Sequence, residues 1–281
     1  MSLKIIIDSA SDILPEEASN LGLIHLPMKV VFGNKEYLDA VNLTHNEFYN
    51  KLIESDALPT TCQIPPAEFI SALEKCNDDE VLIITVSGKL SGTYQSACIA
   101  ASEFGDRVAV VDSQSVSLGI RILIQRAVSL RDEGKSAREI AAILDEEKTH
   151  IRVLALLDTL VYLKKGGRIS KAVAFAGAML SIKPVVTVAD GEVILVGKAR
   201  GSRQGNNLLR ELVMQGKGID FDKPLCLAYS GLNDTLLKKY IEDSGDLWSH
   251  ATDSLPTATV GCAIGTHVGP GAVAVAFYEK Q

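Results

Sequence analysis

The sequence predicts an α/β protein of two domains, residues 1–150 and 151–281, the first built on a mostly parallel doubly wound sheet and the second on a mixed α/β layer. Three observations predict it. Short continuous apolar runs at residues 3–7, 81–86 and 108–111 read as strands buried on both faces, as a parallel sheet requires. Stretches with helical spacing alternate with these runs through the first half of the chain. After His150 the texture changes to apolar strands, basic loops and a helix with hardly any polar face, and 281 residues exceed the usual single core.

In order, residues 3–7 are closed by the polar string Asp8, Ser9, Ala10, Ser11 and Asp12, and Pro15 suits the first turn of a helix through Leu21. Residues 24–32 form a second β-like stretch, and the turn at Gly33 and Asn34 sends the chain into residues 35–38 as a hairpin. Thr44 and Glu47 read as a capping box for a helix over 44–55, with Phe48, Leu52 and Ile53 on one face. Between Leu58 and Pro66, three prolines and several hydroxyl groups predict a rigid loop rather than an element, followed by a helix over 67–76. The run 81–86 then leads into Ser87, Gly88, Lys89, Leu90, Ser91, Gly92, Thr93 and Tyr94. Ala97, Ala100, Ala101 and Phe104 recur at helical spacing beyond it, with Ser91 or Thr93 as the cap. A strand end beside a helix N-terminus is where an open α/β sheet collects anions, so Ser91 is a candidate site residue, plain helix capping being the alternative. Residues 108–111 are a strand ended by Asp112 and Ser113, 116–133 a helix with Gly134 just past it, and 137–148 a further helix.

In the second half, residues 151–157 read as a strand, 158–163 as a short helical turn, and Lys164, Lys165, Gly166, Gly167, Arg168, Ile169 and Ser170 as a basic loop. A helix over 171–180 is apolar nearly all round, which suits burial or the wall of an apolar cavity. Strands at 185–188 and 193–196 flank Asp190 and Gly191, a strong hairpin signal. Helices at 203–215 and 234–244 and a strand at 225–229 follow. Strands at 257–260 and 272–277 close the second sheet, with His267, Gly269, Pro270 and Gly271 on the loop between them.

Composition narrows the function. Aromatics are 5% of the chain, so a ligand surface built here is lined by alkyl groups rather than stacking platforms, which argues against single-stranded nucleic acid. A net charge of −7 argues against duplex DNA. Yet from Lys164 to Arg210 nine Lys/Arg oppose Asp190 and Glu192, a local +7, which suggests one basic face for an acidic partner or an anionic substrate. Cys62, Cys76, Cys98, Cys226 and Cys262 are odd in number without paired spacing, and read as free thiols of a reducing cytosol. No apolar stretch approaches the roughly 20 residues of a membrane span, and no signal-peptide pattern opens the chain, so a cytoplasmic protein is expected.

The short motifs are individually weak. Gly166, Gly167 and Arg168 lack the spacing of a Walker loop, no three-glycine dinucleotide fingerprint or paired metal-binding histidines occur, and Ser91 is not in a Gly-x-Ser-x-Gly elbow. Ser91, His267 and Asp112 are the residues from which a nucleophile, base and orienter would be assembled. His267 has two other readings: a hydrogen-bond donor to an anionic ligand or hydroxyl, and a solvated loop histidine. Taken together, Asp8 to Asp12, the stretch from Thr61 to Gln63, Ser91 to Tyr94, Lys164 to Ser170, Lys183 with Pro184, and His267 to Gly271 resemble the DegV family in order and spacing over nearly the whole chain.

That resemblance implies a two-domain α/β protein with a lipid site between the domains, serving as the binding subunit of a bacterial fatty acid kinase. It implies that Thr61, Ser91, the N–H of Gly92 and His267 hold the carboxylate of a long-chain fatty acid, and that Arg168, Lys198 and Arg200 face the ATP-binding kinase subunit or the phosphate it transfers. The product would be an acyl phosphate for phospholipid synthesis, with no cofactor, no catalytic centre in this chain, no metal and only transient membrane contact. Cys62 and Ile64 depart from the serine and proline common in the family. The apolar helix, through Phe175 and Met179, is the candidate tunnel wall. An acyl chain of about 16 carbons would gain on the order of 10 kcal/mol gross at about 0.8 kcal/mol per buried methylene, partly offset by ordering costs. The alternatives are a serine-dependent acyl hydrolase using Ser91 and His267, and an interaction scaffold that binds no lipid.

Overall fold

The computed structural model describes residues 2–55, 57–169, 182–249 and 255–281. Strand β1 (Leu3–Asp8) runs into a 3-10 turn, Ser9–Ser11, then helix α1 (Pro15–Asn20) and strand β2 (Leu23–Leu26). Pro15 opens α1 because a first-turn residue needs no N–H, and Glu16 and Glu17 sit where the helix dipole favours negative charge. Strands β3 (Lys29–Phe32) and β4 (Lys35–Leu38) form the expected hairpin, and helix α2 (His45–Glu54) carries the expected Thr44/Glu47 capping box. Strand β5 (Thr60–Cys62), helix α3 (Pro66–Glu74), strand β6 (Glu80–Thr85), helix α4 (Thr93–Ser102) and strand β7 (Val108–Asp112) complete the first sheet region. The strands order as β2-β1-β6-β7, all parallel, and Ile5 to Ile7 and Val81 to Ile84 are fully buried, which explains their continuous apolar runs.

Two stretches depart from the expected elements. Residues 24–32 are two strands in two sheets, not one. Pro27 has no N–H for a ladder, and at Met28 the chain turns away, its N–H accepted by Ser9 Oγ at 3.0 Å. The expected loop at 58–66 contains β5, antiparallel to β3 through Lys29 opposite Cys62 and Val30 opposite Thr61. The prolines flank this three-residue strand instead of interrupting it.

Helices α5 (Leu118–Asp132) and α6 (Ala137–Glu147) lead to the second sheet. It contains β8 (Ile151–Leu156), β9 (Ile182–Ala189), β10 (Glu192–Arg200), β11 (Cys226–Tyr229), β12 (Thr257–Thr259) and β13 (Val273–Tyr278), ordered β10-β9-β8-β13-β11-β12. Helices α7 (Val161–Lys165), α8 (Gly201–Met214), α9 (Thr235–Asp243) and α10 (Cys262–Val268) lie among them. The β9–β10 hairpin turns through Asp190 (φ 49°) and Gly191 (φ 77°), the left-handed pair that a two-residue hairpin needs. Helix α5 lies between the sheets. Ile120, Leu123 and Ile124 pack in the core of the parallel sheet, while Leu118 and Ile122 pack with Val153, Cys226 and Ala276 of the second.

The stretch holding His267 is also corrected. It lies on α10, not on a loop. Glycines at 261, 265 and 269 hide the helical pattern, and the helix owes its position to tertiary contacts, since Cys262 joins a core cluster with Val30, Phe48 and Tyr49. The expected apolar helix at 171–180, with Phe175 and Met179, lies outside the described residues.

Candidate functional site

A cavity of about 220 Å³ opens where the carboxyl end of the parallel sheet meets α10 and the second sheet. Its polar wall consists of Thr61, Gln63, Ser91, Gly92, Arg168 and His267. Leu90, Val116, Leu163, Val193, Ile264 and Val268 form much of the rest. A smaller space of about 50 Å³ shares Val116, Leu163, Val193, Ile264 and Val268 with it and continues between the sheets past Val153, Ala155, Val186 and Val188. The polar wall therefore stands at the head of an apolar passage.

Thr61 is supplied by β5 and His267 by the last turn of α10, and Thr61 Oγ1 lies 3.1 Å from His267 Nε2. Nδ1 of the same ring is buried without a partner among the described residues. Gly166 lies close against the ring: a Cβ there would come within 2.2 Å of Nδ1. Burial, with the charge of Arg168 second, pushes His267 down to about 4, so the imidazole is neutral at pH 7 and has one N–H to give.

Ser91 closes the loop after β6. Its Oγ lies 3.0 Å from Thr93 Oγ1 and accepts the N–H of Thr93 at 3.3 Å, while the N-cap position of α4 belongs to Gly92. Ser91 thus serves the first turn of α4, whose leading N–H groups have no acceptor within the helix. Gly92 lies directly under Gln63: a Cβ at Gly92 would fall 1.9 Å from Gln63 Oε1, so any larger residue would displace the Gln63 side chain. Gln63 Nε2 in turn donates to Ser96 Oγ at 3.1 Å. Its role escaped the sequence reading, although its place two residues from Thr61 on an extended segment puts both on one face.

Arg168 ties the halves of the site together. Its Nε donates to the carbonyl of Leu90 at 3.2 Å and its Nη1 to that of Gly166 at 2.6 Å. Lys198 and Arg200 do not line the cavity. They are exposed on the outer side of edge strand β10, and Lys183 is ion-paired with Asp158. The elements of a serine triad are not brought together: Nε2 of His267 meets Thr61, Ser91 Oγ meets Thr93, and the Asp112 carboxylate accepts the N–H groups of Gly88 and Gln114. A base without an orienting carboxylate, and held at so low a pKa, is a poor partner for a serine nucleophile.

The family model for DegV proteins matches residues 2–280. The chain belongs to the DegV family. Among DegV relatives, a DegV domain-containing protein of Caldanaerobacter subterraneus is 34% identical over 288 residues, covering 99% of both chains. The solved structure of a DegV family protein from Thermus thermophilus, described as fatty acid binding, superposes with a TM-score of 0.87 at 33% identity over 100% of both chains. DegV of Bacillus subtilis, described as a fatty acid binding protein, does so with a TM-score of 0.82 at 27% identity over 100% of both. Among the described residues no helix is long and apolar enough to cross a membrane.

Proposed function

We propose that this chain binds one long-chain fatty acid between its two lobes, residues 1–150 and 151–281, and presents the carboxylate to a separate ATP-binding kinase subunit. The observation that carries the reading is a small polar wall backed by a passage lined almost wholly by aliphatic side chains, with Ala10, Thr61, Ser91 and Val116 contributed by the first 150 residues and Leu163, Arg168, Val193 and His267 by the rest of the chain. The fatty acid binding of the Thermus and Bacillus relatives supports it. Thr61, Ser91, the N–H of Gly92 and His267 hold the carboxylate with neutral donors. Each hydrogen bond to a charged group is worth about 1.5–3 kcal/mol, and no lysine has to be desolvated at the head.

In the reaction so proposed, a carboxylate oxygen attacks the terminal phosphorus of ATP on the partner. The bond to the bridging oxygen breaks, ADP leaves with its electrons, and an acyl phosphate remains on this chain. No proton need be removed from the nucleophile, which suits a site whose histidine is neutral. Arg168 at the head, with Lys198 and Arg200 on the β10 edge, meets the partner or its phosphates.

One experiment tests both halves: native mass spectrometry of the purified protein and of a Lys198→Glu/Arg200→Glu variant, followed by acyl phosphate assay with the cognate kinase. One fatty acid per chain in both proteins, with product formation lost only in the variant, is the expected result. Protein that stays empty after incubation with palmitate overturns the ligand, and a fully active variant overturns the docking face.

A further inference from the structure

The polar string after β1 and the turn after β4 contribute two carboxylates that the fatty acid site does not use. Asp12 and Asp39 are 4% and 1% exposed, and both converge on the start of α10. Asp12 Oδ1 accepts the N–H of Gly261 at 2.8 Å, Asp39 Oδ1 that of Cys262 at 3.0 Å, and Asp39 Oδ2 that of Ala263 at 3.1 Å. These are the N-cap and the first two residues of the helix, whose N–H groups find no acceptor inside it. Its own N-cap side chain offers none, because residue 261 is glycine. Gly261 also permits the approach: a Cβ there would lie 2.9 Å from Asp12 Oδ1.

A seven-residue helix does not hold itself in water. Here its first turn is held by carboxyl oxygens that accept its free N–H groups from segments more than 200 residues away. Gly265 packs against Phe48 and Tyr49 of α2, which sets the distance of α10 from its neighbour but not its position along its own axis. The carboxylate bonds set that position. A slide by one residue, about 1.5 Å, would break the contact of His267 with Thr61 at the other end. From Asp39 the chain leads back through β4 to β3, and β3 pairs with β5, which carries Thr61. The circuit from Asp39 through α10, His267, Thr61, β5 and β3 back to Asp39 is closed by hydrogen bonds. Ser9 Oγ donates to Asp39 Oδ2 at 3.0 Å and steadies the carboxylate.

Asp39, His45 and Cys262 also have donor atoms within 4.8 Å of one another. Their chemistry is that of an anchor and not of a metal cage. Both Asp39 oxygens already accept N–H groups, and burial pushes the Cys262 thiol far up, so it stays protonated, near the carbonyl of Leu43.

We propose that Asp39 is a positioning residue of the carboxylate site: by holding the first turn of α10 it sets the His267 imidazole against Thr61 at the head of the cavity. This rests on the reading of that cavity as a fatty acid site. The test compares Asp39→Asn with wild type and with Leu212→Ala, a core variant on helix α8, reading the His267 ring nitrogen shifts by NMR and the release rate of bound palmitate, with thermal unfolding as the stability reference. In Asp39→Asn the amide can accept from only one of the two N–H groups. The expected result is a moved His267 signal in the ligand-free protein and palmitate release faster by about tenfold, with Leu212→Ala unchanged in both. Ser9→Ala, which removes one donor to Asp39, gives a smaller change of the same kind and serves if Asp39→Asn does not fold. Wild-type ring shifts and release in the folded Asp39 or Ser9 variant overturn the proposal, as does an equal change in Leu212→Ala. If the wild-type protein takes up no palmitate, the fatty acid reading falls, and the ring shifts of the ligand-free proteins still decide the positioning.

Discussion

At the head of the cavity, Thr61 and His267 meet at 3.1 Å across 206 residues of sequence, beside the hydroxyl of Ser91 and the amide of Gln63. At the tail, Val153, Ala155, Val186, Val188 and Ala274 line a space whose polar residues are turned to other work: Ser117 donates to Asp12, and Thr187 Oγ1 donates to the carbonyl of Val153 at 2.7 Å. The tail comes from alternate residues of neighbouring strands and, on the proposed reading, selects by volume. The head comes from separate loops and a short helix and, on the same reading, selects by where a few donors stand. Binding strength should therefore depend most on the tail being open, while orientation and chemistry should depend on the head.

The strongest way to break this comparison is to fill the tail. Ala155→Phe places a ring in the narrow space, and uptake of palmitate should fall by about a hundredfold or more while a ten-carbon acid still binds, measured by competition across chain lengths. Equal binding of palmitate by the variant would mean that the acyl chain runs elsewhere.

The next effect is at the head and is read by pH. Folded His267 titrates at about 4 against 6.5 for an ordinary histidine, so the unfolded chain binds the proton first as pH falls. The contribution of neutral His267 to stability is complete above 6.5 and is lost as pH drops through 4. A bound carboxylate beside the ring favours its charged form and should move this titration upward, visible by NMR with and without palmitate. An unchanged midpoint would place the carboxylate away from His267.

The smallest effect is expected at Ser91. Its hydroxyl already accepts the N–H of Thr93, so Ser91→Ala should weaken palmitate retention by about fivefold, near 1 kcal/mol, and leave the fold intact. A fluorophosphonate should leave Ser91 unlabelled. Covalent labelling would shift the head from a binding site to a nucleophilic one.

Much of the architecture was legible locally. The buried runs at 3–7 and 81–86, the Thr44/Glu47 capping box and the Asp190-Gly191 hairpin each carry their signal within a few residues. Residues 58–66 and the His267 segment were not legible as elements. A three-residue strand has no periodicity to show, and a helix with glycine at 261, 265 and 269 is favoured only by what packs on it and caps it.

The chain by itself determined the class of fold and the aliphatic character of its interior, because side-chain type and order are written along one dimension, whereas Thr61, Ser91, Gly92 and His267 were grouped only through the family resemblance. Only the tertiary structure decided that His267 is neutral, that Thr61 and not Ser91 is its partner, that Gln63 stands over Gly92, and that Asp12 and Asp39 hold the start of α10. Those facts depend on burial and on distances of about 3 Å between segments far apart in sequence, and such distances exist only after the sheets have packed.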